Sequence, residues 1–477
     1  MSSDAPAVPY DRRWYGLAAL CASLLVVGLD NTILNVALPR LATALHATTS
    51  QLQWIVDGYT LVFAGLLLTT GSLGDRFGRR SALSIGLVIF LAGSIASGLA
   101  TSAEVLIATR SIMGIGAALI MPATLSLLTN LFTDPAERAK AIGIWAGVSG
   151  IGIAIGPMLG GWLLEHHHWG SVFFVNVPVV LVVLPAGYFL LPNSRAADGP
   201  KLDPVGAVLS IVGLVALVWA IIEAPAAGWT APKVLAGFGV GLAVLGAFLW
   251  WERTTPSPML DLSFFENPRF SAANLAVTLT FFAMFGSMFI VTQFMQYVLG
   301  FTPLQAGIRS VPLAVMMMAV APQSTKLSRR FGTKLVVAAG LGTVALGLLV
   351  AATATPELGY ARIFPAQVLL GLGIALAMAP ATESIMGSLP REKAGVGSAM
   401  NDTTRQVGGA LGVAVIGSVF SAQYAPAVTA NLQALGLPMP QAVIDASSDS
   451  IGTAFGVAAK AGGNPDVIDT RYGLAIQ

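Results

Sequence analysis

Hydrophobic residues in this chain come in runs of about twenty, and the breaks between runs are short and either charged or marked by Pro and Gly. A helix needs roughly 20 residues to cross a hydrocarbon core. The pattern predicts thirteen spans, near 14–38, 53–73, 81–100, 105–131, 140–164, 171–191, 205–223, 233–251, 270–297, 303–325, 334–354, 362–387 and 396–420. They fall into groups. A polar tail, 1–13, precedes six spans over 14–191, and a polar linker, 192–204, follows. Two spans occupy 205–251, a charged loop occupies 252–269, and five spans fill 270–420. Residues 421–477 contain no further apolar run of that length. The tail lacks a small-residue cleavage site after a brief apolar core, so the run from Trp14 reads as a retained first span. The expected class is an all-α polytopic membrane protein.

Composition agrees. The 477 residues are 55% hydrophobic and 10% charged, with a mean hydropathy of +0.77, whereas soluble domains carry about 25% charged residues. A net charge of +2 is too small to imply nucleic acid. Cys21 is the one cysteine, which leaves no disulfide framework or thiolate metal site.

Charge orients the spans. With the tail in the cytoplasm, seventeen of the 25 Lys and Arg fall in cytoplasmic segments, among them Arg195, Lys201, Arg391 and Lys393. Outer segments hold Arg40, Lys233, Arg362, Lys460 and Arg471, and Arg110, Arg309 and Arg405 lie within spans. A wrong span count would scramble this bias. Gly71-Ser-Leu-Gly-Asp-Arg-Phe-Gly-Arg-Arg80 joins the second and third spans. Arg76, Arg79 and Arg80 favour the cytoplasm, Gly71, Gly74 and Gly78 let two helix ends approach, and Asp75 can pair with a cation or accept from the next helix N-terminus. Alone, this loop could be a positive-inside turn and no more. However, Arg330-Phe-Gly-Thr-Lys334 repeats it after the second span of the later bundle, with Arg329 where Asp75 stood. Duplicated six-span halves would leave such an echo.

Several ionisable groups lie at membrane depth. Asp30 falls about 24 Å along its helix from Trp14, where an acid costs about 2.5 to 3.5 kcal/mol and should face a polar cavity. Asn31 and Asn35 extend a polar stripe beside it. Asp30 reads either as a carboxylate fixed by a neighbouring helix or as a site exchanging a proton for a cationic substrate. Asp57 falls near the outer rim, as a cavity mouth or an interfacial anchor. Arg110 is deeper and stays protonated, so it can only hold or release a carboxylate. Gly152, Gly156 and Gly160 recur on one helix face and permit close packing, followed by Gly161, while Pro157 bends the helix. Phe281, Phe282, Phe285 and Phe289 crowd the span that also carries Gln293 and Gln296. Packing is their default role, although aromatic faces over a cavity would suit planar cations. Asp402 and Arg405, at i and i+3, can pair. Glu223 and Glu383 sit near span ends. His166, His167 and His168 are adjacent and point in different directions, so no metal site is expected.

The loop at 71–80 resembles the G-x-L-x-D-R-x-G-R-[KR] loop of major facilitator superfamily transporters. From residue 14 to about 420 the chain resembles the fourteen-span drug:proton antiporters. This resemblance implies two six-helix bundles with two inserted helices, and a last helix after 420 that this chain is expected to lack. It also implies roles. The segment around Asp30 resembles the first-span motif, Leu106 to Ala118 the fourth-span motif with an Arg linked to proton transfer, and Gly152-Ile-Ala-Ile-Gly-Pro-Met-Leu-Gly-Gly161 the G-x-x-x-G-P-x-x-G-G antiporter motif. Asp402 lies where some multidrug members place an acid for substrate recognition.

No GK[ST], no G-x-S-x-G and no zinc spacing occurs, so neither an enzyme nor a bound cofactor or metal is expected and energy must come from a gradient. The expectation is a proton-coupled exporter of lipophilic cationic drugs in the plasma membrane, the cell inner membrane, working as a monomer by alternating access. Its partners are an amphiphilic small molecule and the lipid bilayer. Asp30, Arg110 and Asp402 would couple proton to substrate. Asn31, Asn35, Asp57, Phe282, Phe285, Gln293 and Gln296 would line the cavity. The alternatives are an exporter dedicated to one endogenous or antibiotic-like metabolite and, from another class, a channel or receptor without coupled transport.

Overall fold

In the computed structural model the described residues are 12–194, 203–389, 394–434, 441–449, 451 and 454. Arg195, Lys201, Arg391, Lys393, Lys460, Arg471 and the side chain of Asp75 lie outside them. Each expected span is built on helix. The first five are α1 (Arg13–Leu45), α2 (Thr49–Phe77), α3 (Arg79–Gly98), α4 (Ala103–Leu131) and α5 (Pro135–His166). The sixth divides into α6 (Ser171–Phe174) and α7 (Asn176–Leu190), and α8 (Pro204–Ala227) and α9 (Pro232–Thr254) follow. α10 (Pro268–Gln293) ends in a π-helical turn, Phe294–Val298. The tenth span is α11 (Pro303–Arg309) and α12 (Val311–Phe331), separated at Ser310 just ahead of Pro312. α13 (Thr333–Ala351), α14 (Tyr360–Gly387), α15 (Ala394–Ala434) and α16 (Gln441–Asp449) complete the order. We call the end where α1 begins the first end and the end where it finishes the second.

Among the described residues, eleven helical segments are long and apolar enough to cross a membrane and no strand occurs. Leu181, Val182, Phe189, Leu346 and Leu349 are exposed on the outer faces. Apolar surface of that extent faces lipid, and every backbone polar group there must be satisfied within its own helix. This is a multi-pass membrane protein.

One boundary differs from expectation. Residues 421–434 continue α15 as helix, giving it 41 residues, or about 60 Å at 1.5 Å per residue, twice the hydrocarbon core. Ala, Gln and Leu in this stretch favour helix whether or not lipid surrounds it. Tyr424 stacks on Phe420 at 5.4 Å, and its hydroxyl donates to the Ser447 carbonyl of α16 at 3.3 Å.

The internal echo is visible in the backbone. Thr48 opens α2 with a capping box to Gln51, and Thr302 opens α11 with the same box to Gln305. Gly78 closes α2 at φ +113° and Gly332 closes α12 at φ +84°, a left-handed geometry that glycine adopts without strain. Cap and glycine lie thirty residues apart in both copies.

α1 packs on α5, α7 and α4, α2 packs on α4 and α15, and α8 fills the seam between α2 and α15. Asp203 caps α8 through the Gly206 amide at 2.8 Å and accepts from Trp251 Nε1 of α9 at 2.9 Å. The α1–α5 contact brings two backbones together along a row of glycines. A Cβ on Gly152 would lie 3.4 Å from the Gly28 carbonyl carbon, one on Gly156 3.0 Å from Thr32 Cβ, and one on Gly160 2.5 Å from Ile33 Cγ1. Thr32 Oγ1 donates to the Gly152 carbonyl at 3.2 Å. Packing between membrane helices depends on such close approach, because lipid supplies no hydrophobic drive to bring helices together.

Gly156→Val should therefore destabilise the purified protein by about 1 to 3 kcal/mol, the range for overpacking a close contact, and lower its unfolding midpoint in detergent. Gly239→Ala, a position within α9 where an added Cβ meets nothing within 4 Å, should keep the midpoint or raise it, since Ala favours helix over Gly. Equal midpoints for both variants would contradict this packing.

Candidate functional site

Three helices meet around one ion pair. Asp30 of α1 is fully buried and Arg110 of α4 is 1% exposed. Arg110 Nη1 donates to Asp30 Oδ2. Its Nε donates to the Ile55 carbonyl of α2 at 3.2 Å, and its guanidinium lies 4.4 Å over the ring of Tyr59, also on α2. Phe63 braces that ring edge-on at 5.7 Å. Ser102 caps α4 by accepting from the Val105 amide and so helps set the register that brings Arg110 inward. A buried pair of this kind holds because each charge answers the other. Removing one partner from such a pair costs about 3 to 5 kcal/mol.

Asp57 occupies the same face of α2 as Gln53, one turn away. Gln53 Nε2 donates to the Val413 and Ala414 carbonyls of α15, at 3.2 and 2.9 Å. Asp57 itself is fully buried, and neither carboxylate oxygen meets a donor among the described residues. The sequence placed this acid near the outer rim. It lies about 12 Å into α2, and α15 closes over that face, so it is neither an interfacial anchor nor open to the surface.

Hydrogen bonds between α1–α7 and the helices from α10 onward cluster at the second end. Gln296 Nε2 donates to the Val36 carbonyl at 2.9 Å, and the Tyr297 hydroxyl donates to the Pro39 carbonyl at 2.7 Å. The Leu304 amide donates to Glu165 Oε1 at 3.3 Å. Backbones touch there as well. A Cβ on Gly161 would lie 2.5 Å from Leu304 Cα, and one on Gly307 2.7 Å from the Pro157 carbonyl carbon. Below this closure a cavity of about 40 Å³ opens between α1, α5, α10, α12 and α14, bordered by Asn35, Ser287, Thr292 and Gln367 among others. It has room for about three waters. An organic cation would need the helices to part.

The other expected residues fall around this centre. Asn31 is half-buried, and its carbonyl accepts from Asn35 Nδ2 at 3.1 Å. Gln293 donates to its own helix, at the Phe289 carbonyl. Phe282 presents its backbone to Gly412 of α15, and Phe285 packs on Gly409 and stacks on Phe281 at 6.0 Å. Asp402 is held by Arg405 at 3.4 Å rather than by Arg110. Arg405 also reaches Thr382 and lies 5.5 Å over the Phe281 ring. The 71–80 stretch expected as a loop is helix except at Gly78, because α2 runs on to Phe77 and α3 begins at Arg79; Gly71 approaches Pro122, Gly74 approaches Ala82, and Gly78 lies against Asn193. Arg76 lies over Phe77, the Arg79 amide donates to the Ser194 carbonyl, and Arg80 donates to the Tyr188 and Leu191 carbonyls at the end of α7. Sequence reasoning overlooked Gln53, Tyr59, Tyr297 and Gln367. Each is a polar side chain inside an apolar run, which was the available signal.

Comparisons with known proteins give one answer over nearly the full length. Residues 20–413 match the Major Facilitator Superfamily. The chain is 38% identical over 448 residues to the multidrug efflux pump LfrA of Mycolicibacterium smegmatis, covering 94% of this chain and 88% of that one. It is 36% identical over 442 residues to the tetracenomycin C resistance and export protein of Streptomyces glaucescens, covering 91% and 82%. It is 32% identical over 417 residues to the methyl viologen resistance protein SmvA of Salmonella typhimurium, covering 87% and 84%. Among solved structures, a bacterial homolog to the human lysosomal transporter Spinster shares the fold with a TM-score of 0.66 at 20% identity, covering 98% of this chain and 92% of that one. The duplicated turns, the glycine face of α5 packed against α1 and the match over residues 20–413 agree, and the chain belongs to the Major Facilitator Superfamily.

Proposed function

We propose that this protein is a proton-driven exporter that exchanges H⁺ for lipophilic cations by alternating access, with its first end in the cytoplasm and its helices in the plasma membrane. The observation that carries the reading is Asp30, a fully buried carboxylate whose partner is a guanidinium that cannot give up its proton. A proton on Asp30 removes the charge that holds Arg110. Arg110 then keeps its other contacts, the Ile55 carbonyl and the Tyr59 ring, and leaves the carboxylate free for its next ligand. A proton and a cation cannot both neutralise one carboxylate, so competition between them is sufficient for exchange. Asp57 is the second exchangeable group. Ionised in this closed arrangement it would be a charge without donors, so its proton leaves only when opening admits water to α2.

The basic residues Arg76, Arg79, Arg80, Arg138, Arg329 and Arg330 all lie at the first end, which supports its cytoplasmic placement. A proton gradient is the energy source in this reading, with no cofactor and no catalysed reaction. Relatives named for multidrug efflux and for resistance to methyl viologen, an organic dication, support a cationic substrate. The relative named for tetracenomycin C export favours a narrower second reading, a pump dedicated to one metabolite. A panel of unrelated cations separates the two, because the dedicated pump would move few or none of them.

In cells expressing the protein, efflux of ethidium should fall at least about tenfold in Asp30→Asn and in Arg110→Ala, the factor that a barrier increase of about 1.4 kcal/mol produces. Full activity in Asp30→Asn would remove that carboxylate from the mechanism. In proteoliposomes, cation movement should stop when an uncoupler collapses the pH gradient, whereas a channel would go on conducting. Acidifying the side from which the cation is taken should slow transport, because protonated carboxylates offer no charge to it. Acceleration on that side would count against proton exchange.

A further inference from the structure

The turn between α12 and α13 copies the backbone of the α2–α3 turn but not its charge. Arg329 occupies the place of Asp75, with Arg330 and Lys334 close by. This turn forms one wall of a recess of about 280 Å³ at the first end, lined by Arg269, Ser328, Arg329, Thr333, Glu383 and Ser384. The volume is several times the roughly 30 Å³ that one water occupies. The ion pairs among the described residues involve neither arginine, although Glu383 borders the same space. Ser384 is 6% exposed, and its hydroxyl has no hydrogen-bond partner among the described residues. Ser328 and Thr333 share a hydrogen bond of 2.9 Å, which leaves one hydroxyl proton of that pair to donate. The first turn of α13 carries no side-chain cap, so its leading amides also point toward this end.

We propose that this recess binds a phosphate oxyanion, the phosphodiester of a membrane lipid headgroup. Arg269 and Arg329 hold its charge, and Ser384 and the Ser328–Thr333 pair donate to it. Guanidinium is the side chain best matched to a phosphate, since it can donate two parallel hydrogen bonds. Two arginines and one glutamate leave one positive charge, which balances a phosphodiester and not a dianion. Glu383 can accept from a hydroxyl or ammonium at the far end of the headgroup. Leu327, Phe331 and Leu335 are exposed beside the recess, where the acyl chains of such a lipid would lie. No residue of the Asp30 centre takes part, so the site stands or falls apart from the export reading.

The test is native mass spectrometry of the detergent-purified protein with phosphatidylglycerol. Compared with the intact chain, Arg269→Gln and Arg329→Gln should each retain about tenfold less lipid or lower, as loss of a charge-assisted contact implies. Ser384→Ala should show a smaller loss. Arg362→Gln, exposed near the second end, should retain lipid as the intact protein does. Unfolding midpoints of all variants show whether they remain folded, which these exposed arginines should allow. Equal retention by the intact protein and a folded Arg269→Gln/Arg329→Gln double variant would overturn the site. Displacement of the lipid by millimolar inorganic phosphate would overturn its assignment to a lipid, and indifference to phosphate would support it.

Discussion

A carboxylate and a guanidinium buried against each other hold the first half of this molecule in its geometry. Removing charges from water is expensive even after relaxation, and the pair offsets that cost only while Arg110 meets Asp30, the Ile55 carbonyl and the Tyr59 ring together. This requirement sets the rotation of α1. Asp30 must face α4, and Thr32, two residues on, then points about 200° away round the helix. That opposite face is the one received by the glycines of α5. The ion pair and the glycine row are thus two consequences of one helix orientation.

α5 carries the constraint further. Gly152, Gly156 and Gly160 lie against α1, while Pro157 and Gly161 lie against Gly307 and Leu304 of the α11 segment. One bent helix therefore touches both the charged centre and the closure at the second end. The closure is made by the Gln296 side-chain amide and the Tyr297 phenol donating to carbonyls of α1, by the Leu304 amide donating to Glu165, and by glycine backbones in close contact. In the exporter proposed above, such contacts can release without stranding a buried charge.

The two copies of the helix–turn–helix unit show how duplication can preserve shape and change chemistry. The capping boxes at Thr48 and Thr302 and the left-handed glycines at 78 and 332 keep the same backbone. The charge at the turn is reversed, with Asp75 in one copy and Arg329 in the other. A backbone requirement constrains the glycine. A surface charge is free to differ, and where it differs the surface can bind something else.

The chain by itself marked the all-helical membrane class, the basic bias of one end and the two related turns, because apolar length, loop charge and glycine placement are local properties. It also marked Asp30 and Arg110 as buried ionisable groups, since each interrupts an apolar run. It offered the Asp402–Arg405 pair from their i, i+3 spacing, but could not tell that Arg110 meets Asp30 directly, nor that Asp57 is fully buried. Those answers came only from the tertiary structure. Which charges meet across a membrane bundle depends on the rotation and depth at which separate helices pack, and residues 80 positions apart acquire a distance only when those helices are in place.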